Sequence, residues 1–203
     1  MRTAMILALM LMLAIPSASQ AEHLISEDAK STETIYFFSY HCGGCYALNQ
    51  YITLYDEMSD DVNIRRVPVF SKGSEWITGA KLHVLLNTLP ETRAMTTIKK
   101  SKIGFLIVSM VSDELKTASD FYNAISASGV DVSIDNFRLA WSELDVYLEG
   151  AEYIISQASK EIEIKTPLVR VSKNGHVEWV SIDVDAENPG TDFVKKLNRV
   201  VAK

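Results

Sequence analysis

Two cysteines are the whole thiol complement of this 203-residue chain, and they stand three residues apart in Cys42-Gly43-Gly44-Cys45. Sulfurs at that spacing can close a disulfide with each other, but so short a loop restricts the unfolded chain very little, so stapling is a poor use for it. Redox exchange is a better one. The segment before the motif, Thr34 to Ser39, is short, aromatic and β-branched, as a buried strand is. The segment after it, from Tyr46 to about Met58, reads as a helix. A helix that begins at the motif places Cys42 at its N-terminus, where unpaired N–H groups and the helix dipole favour a thiolate. Cys45 then faces the same side, with Cys42 expected to be the exposed member and Cys45 the buried one. Gly43 and Gly44 are expected to permit the tight backbone, at a cost in helix stability.

Other readings of the pair are a structural disulfide, half of a zinc site, or two buried free thiols. Zinc needs two further ligands, and only His23, His41, His83 and His176 are available; no metal is expected. The strand-motif-helix context favours the redox reading. A second element, Thr166-Pro167, precedes a strand signal. It is either a proline at a strand's first residue or a cis-proline loop packed against the cysteines, offering the residue 166 backbone to an extended substrate segment. The residues alone leave both open.

The elements that must hold these residues follow from patterning. Val62 to Phe70 reads as a second strand, with Pro68 marking an edge or an end. From Glu75 to Glu161 the pattern is helical: Trp76 to Leu86, a buried helix around Ile103 to Val108, a helix capped by Thr117 or Ser119, one capped by Ser133 that carries Phe137, Leu139 and Trp141, and one from Asp145 to Ser159. Leu168 to Ser172 and His176 to Ile182 flank Asn174-Gly175, a two-residue hairpin signal. Pro189-Gly190 is expected to break the chain before a last helix capped by Thr191. Arg65-Arg66 and Lys99-Lys100 read as solvated charges.

Arg2, the apolar run Ala4 to Ile15 and the small residues up to Ala21 read as a secretory signal cleaved after Ala21. The run is shorter than the ~20 apolar residues a spanning helix needs. The rest has the composition of a globular protein, with 47% hydrophobic and 23% charged residues. Losing Arg2 takes the formal charge from −6 to −7, which disfavours a nucleic-acid partner. The expected division is a signal at 1–21, a first α/β part at 22–72, a helical insertion at 73–162 and a second α/β part at 163–203.

The segment Phe37-Phe38-Ser39-Tyr40-His41-Cys42-Gly43-Gly44-Cys45-Tyr46, the helical block, Thr166-Pro167, the Asn174-Gly175 hairpin and the closing helix together resemble the DsbA family of bacterial periplasmic disulfide oxidoreductases. The resemblance implies an α/β thioredoxin-like fold with an inserted all-helical domain. It implies that Cys42 attacks, Cys45 resolves, and Pro167 is a cis-proline preceded by Thr166, the two forming the substrate-binding loop. His41, Gly43 and Gly44 would tune the pair. It further implies a monomer without cofactor, working chiefly as an oxidase on reduced or misoxidised exported proteins and recharged by a DsbB-type membrane partner. The chain departs from the best-known members, which carry Pro-His between the cysteines, a buried glutamate where Tyr36 stands and valine where Thr166 stands. A milder oxidant is therefore expected, with a Cys42 pKa between those of DsbA and thioredoxin. Isomerase or reductase activity, and a binding module or chaperone with a structural disulfide, are the competing functions.

Overall fold

The computed structural model describes residues 32–59, 62–184 and 186–202. The expected signal segment and its cleavage site lie outside the described residues.

The chain runs β1 (Thr32–Phe38), α1 (Gly43–Met58), β2 (Val62–Pro68), α2 (Trp76–Thr88), α3 (Thr97–Val111), α4 (Ala118–Ala127), α5 (Ile134–Ser142), α6 (Leu144–Ala158), β3 (Leu168–Lys173), β4 (His176–Ser181) and α7 (Pro189–Val201). The four strands form one sheet in the order β2-β1-β3-β4. β1 pairs in parallel with β2 and antiparallel with β3, so the strand that leads into the cysteines is central.

Both faces of the sheet are covered, which is why β1 reads as a continuous apolar run rather than an alternating one. Tyr36 and Phe38 join the cluster that contains Leu48 and Ile52 of α1 and Phe193 and Leu197 of α7. Ile35 and Phe37 face the other way, onto Ile154 and Ala158 of α6. Each fully buried side chain of this size contributes roughly 1.5–3 kcal/mol of transfer free energy. The first cluster continues without a break into Leu85 of α2, Phe105 of α3, Phe121 of α4 and Phe137 of α5. The helical block therefore shares the sheet's core and does not enclose one of its own.

Local chemistry explains several boundaries. Thr117 caps α4 through a full capping box with Asp120. Asn174 (φ 52) and Gly175 (φ 77) make the two positive-φ residues of the β3–β4 turn. β2 lies at the sheet edge and ends at Pro68, where a missing N–H costs no ladder bond.

Four expectations are corrected. α7 begins at Pro189 with Asn188 before it, not at a Thr191 cap, because proline's fixed φ and absent N–H suit the first helical turn. Ser133 precedes α5 without a capping hydrogen bond from its side chain. Leu106 is 51% exposed, so the helix around Ile103 to Val108, expected to be buried, is buried on one side only. Arg66 is not solvated: strand alternation puts it on the α1 face with Val62 and Ile64. There its guanidinium meets Asp56 at 2.9 Å with 8% of the side chain exposed.

Candidate active site

The buried end of β1 delivers the chain to Ser39, and a turn carries Cys42 to the mouth of α1. Cys42 is the N-cap of that helix: its backbone is extended (φ −96, ψ 110), and its Sγ accepts a hydrogen bond from the Cys45 N–H at 3.1 Å. Cys42 is half-buried and Cys45 fully buried, both as unbridged thiols. The asymmetry expected of the motif is thus present in the geometry.

Electrostatics sharpens it. The Cys42 thiol is lowered to about 6, first by a hydrogen bond from the Cys45 thiol; partial burial opposes this, and the Thr166 side chain and the backbone N–H groups of Cys45 and Gly44 assist. Cys45 is pushed far up, first by burial and then by the neighbouring Cys42. One sulfur is therefore a ready thiolate near neutral pH, and the other keeps its proton and shares it with the first.

Thr166-Pro167 is a cis peptide bond, and the loop faces the cysteines across the helix mouth. The Cys42 thiol donates to the Thr166 carbonyl at 3.6 Å. Gly44 leaves room for Val184 beside this loop. A Cβ there would lie 2.5 Å from Val184 Cγ1 and 3.4 Å from Pro167 Cδ, whereas Gly43 has open space around it. Neither glycine takes a positive φ. The dipeptide therefore serves close packing at residue 44 and has no backbone requirement at residue 43, in contrast to the tight-turn role expected of both.

His41 flanks the pair on the side of α2. It is half-buried, its ring packs over Gly79 of α2, and burial lowers its pKa, so it stays neutral near pH 7. Tyr36, 1% exposed, was visible in the sequence only as a substitution of expected type. Its hydroxyl has no hydrogen-bond partner of ordinary geometry and sits against Cys45, and burial followed by the Cys45 charge holds the phenol protonated.

Beside Cys42 a groove of about 970 Å³ opens between α1 and α3, walled by Tyr40, His41, Tyr46, Phe105 and Leu106. Tyr46 is 64% exposed at its rim and meets the Phe105 ring edge-on. Sequence reasoning missed this groove because its walls come from segments some sixty residues apart.

No family model matches the chain, and no curated protein matches it in sequence. Solved structures do match in shape. The structure of Pseudomonas aeruginosa DsbA is 19% identical, covers 88% of each chain and gives a TM-score of 0.64. A DsbA disulfide interchange protein from Klebsiella pneumoniae is 17% identical, with 84% of this chain and 88% of that one covered and a TM-score of 0.59. DsbL from Salmonella enterica serovar Typhimurium is 18% identical, with 87% and 90% covered and a TM-score of 0.57. Coverage of this extent spans sheet and helical block together, so the chain has the DsbA fold, a thioredoxin-like sheet interrupted by an inserted helical domain.

Proposed function

We propose that this chain is a thiol:disulfide oxidoreductase that exchanges a Cys42–Cys45 disulfide with the thiols of exported proteins in the periplasm, chiefly as an oxidase. The observation that carries the reading is the opposite displacement of the two thiols, an accessible Cys42 lowered to about 6 over a buried Cys45 pushed up. In the oxidised protein a substrate thiolate attacks Cys42 Sγ and the Cys42–Cys45 bond breaks. Cys45 leaves as a thiolate and takes a proton. The substrate's second thiolate then attacks the substrate sulfur of the mixed disulfide, and Cys42 departs as a thiolate. The substrate gains one disulfide and the enzyme two electrons, which a DsbB-type membrane partner removes. The lower the Cys42 pKa, the better it leaves. A value near 6 falls between the handful of units spanning DsbA at about 3.5 and thioredoxin at about 7, in keeping with a milder oxidant.

The cis-proline loop supports substrate binding by Thr166 and Pro167, since the extended segment bearing the target cysteine has backbone to pair with beside Cys42. No described helix is long and apolar enough to cross a membrane. The Thr166 hydroxyl at the thiolate favours a second reading, an isomerase or reductase kept reduced. Oxidative refolding of a reduced substrate and insulin reduction, each beside Cys42→Ser, test the activity. The resting redox state of the pair in cells separates the two readings, oxidised for the oxidase and reduced for the isomerase. Inactivity in both assays would overturn the proposal in favour of a binding module.

A further inference from the structure

On the far side of Tyr40 from the groove lies a second cavity, about 320 Å³ in volume, floored by β2 and walled by α2 and α3. Its lining is polar and strongly biased toward donors. Arg66, with 8% of its side chain exposed, and Lys100 bring two cations; Asp56 brings one carboxylate. That carboxylate is already used, one oxygen by the Ile64 N–H at 2.8 Å and the other by Arg66 at 2.9 Å. The donors are less well served. The Arg66 terminal nitrogens also reach the Ile64 carbonyl at 3.4 Å and Thr53 Oγ1 at 3.2 Å, but among the described residues its buried Nε has no partner and Lys100 Nζ has a single 3.4 Å contact, with Asn87 Oδ1. The Tyr40 hydroxyl and Asn87 amide converge on His83 Nδ1 at 3.4 and 3.3 Å, completing the wall.

A buried cation short of acceptors is costly, and an anion placed among these groups removes the deficit. Burial lowers the pKa of Lys100, and both Arg66 and Lys100 help to hold His83 neutral, so the field in the cavity is positive. At roughly 30 Å³ for each water, the volume admits a tetrahedral ion with part of its hydration shell.

We propose that the cavity between β2, α2 and α3 binds a small tetrahedral oxyanion, of the size and charge of phosphate or sulfate, through Arg66, Lys100 and Asn87. A metal cation is disfavoured by the same arrangement, since among the described residues the lining carboxylate is that of Asp56, and both its oxygens already accept hydrogen bonds. The site is separate from the thiol pair and stands whether or not the chain exchanges disulfides.

Titration of the full protein with inorganic phosphate, at constant ionic strength and followed by amide chemical shifts, tests it. Saturable shifts are expected at residues 63–66, 83–87 and 97–101. Lys100→Gln, at the partly exposed rim, is expected to weaken binding about five- to tenfold, the effect of one partly screened charge-assisted bond. Asn63→Asp, which adds an anion at the exposed edge, is expected to weaken it similarly. Lys99→Gln, the same charge change on the outer surface, should alter it less than about twofold. Shifts that fail to saturate, or equal losses in Lys99→Gln and Lys100→Gln, would overturn the proposal. Acetate binding as tightly as phosphate would overturn the tetrahedral specificity.

Discussion

Replacing Thr166 with valine keeps the β-branched shape of the proline loop and removes the hydroxyl it holds toward Cys42. The Cys42 thiolate is stabilised by three kinds of donor, namely the Cys45 thiol, the Thr166 side chain and two backbone N–H groups, and only the second is lost. A hydrogen bond to a charged group contributes about 1.5–3 kcal/mol when well buried. Cys42 is half exposed, and solvent screening reduces the figure to about 0.7–1.4 kcal/mol, or roughly half to one pKa unit. The Thr166→Val thiol should therefore titrate about half to one unit higher than that of the unaltered protein. The sign carries to the redox couple. A less stable thiolate makes the reduced form less favoured, so the potential becomes about 15–30 mV more negative and the variant a weaker oxidant. Because the folded pKa lies below the ordinary thiol value of about 8.5, this preference for the reduced form is complete above that pH. It is lost as pH falls through about 6. Ultraviolet thiolate absorbance against pH gives the pKa, and equilibration with glutathione gives the potential. Two results would refute the reasoning: a valine variant that titrates where the unaltered protein does, or a Thr166→Ser variant, hydroxyl retained, that shifts as far as valine.

Tyr36→Phe removes a buried hydroxyl without an ordinary partner, so urea unfolding should show stability unchanged or raised by up to about 1 kcal/mol. Cys45 loses the neighbour that lowers its pKa, and resolution of a Cys42 mixed disulfide should slow; a destabilised variant with unaltered resolution kinetics would count against this. Gly43→Ala, in open space, should stabilise α1 by about 0.5–1 kcal/mol, while Gly44→Ala should lower the thermal midpoint because its Cβ meets the Val184 side chain. Asp56→Ala leaves the Arg66 guanidinium buried without its carboxylate, and denaturant unfolding should register a loss of about 3 kcal/mol, against near-zero loss if the pair were a surface one.

What the sequence made legible was whatever a single segment encodes. The aromatic, β-branched β1, the helix after the motif, the Asn174-Gly175 turn and the Thr117 cap all follow from local period and local chemistry, and each is where its residues imply. The exposed and buried roles of Cys42 and Cys45 follow likewise from their places at a helix mouth. Partnerships across segments were opaque. Arg66 looked like half of a charged dipeptide because its partner, Asp56, sits on the preceding helix, and only the register of β2 against β1 turns it inward. The surroundings of His41 and Tyr36 were hidden for the same reason, since α2 covers one and Cys45 adjoins the other. The helix around Leu106 was read as buried because apolar periodicity reports which residues share a face, not whether another element covers it.

The dipeptide between the cysteines is where such pairs are expected to be tuned, yet here it carries no side chain to do so. What lowers Cys42 comes instead from the sulfur beneath it, from main-chain N–H groups at the mouth of α1 and from the loop opposite. The first two belong to any thiol pair at a helix N-terminus; the Thr166 hydroxyl alone is a choice of side chain. A larger residue at Gly44 would displace the Val184 side chain, while Pro167 Cδ, 3.4 Å from such a Cβ, stays in ordinary contact and the loop keeps its place. Gly44 and Thr166 thus do different work: the small residue on the helix leaves room for Val184, and the loop brings the hydroxyl to the sulfur. Altering both should therefore shift the Cys42 pKa about as far as Thr166→Val does alone, with the loss of thermal stability belonging to Gly44→Ala.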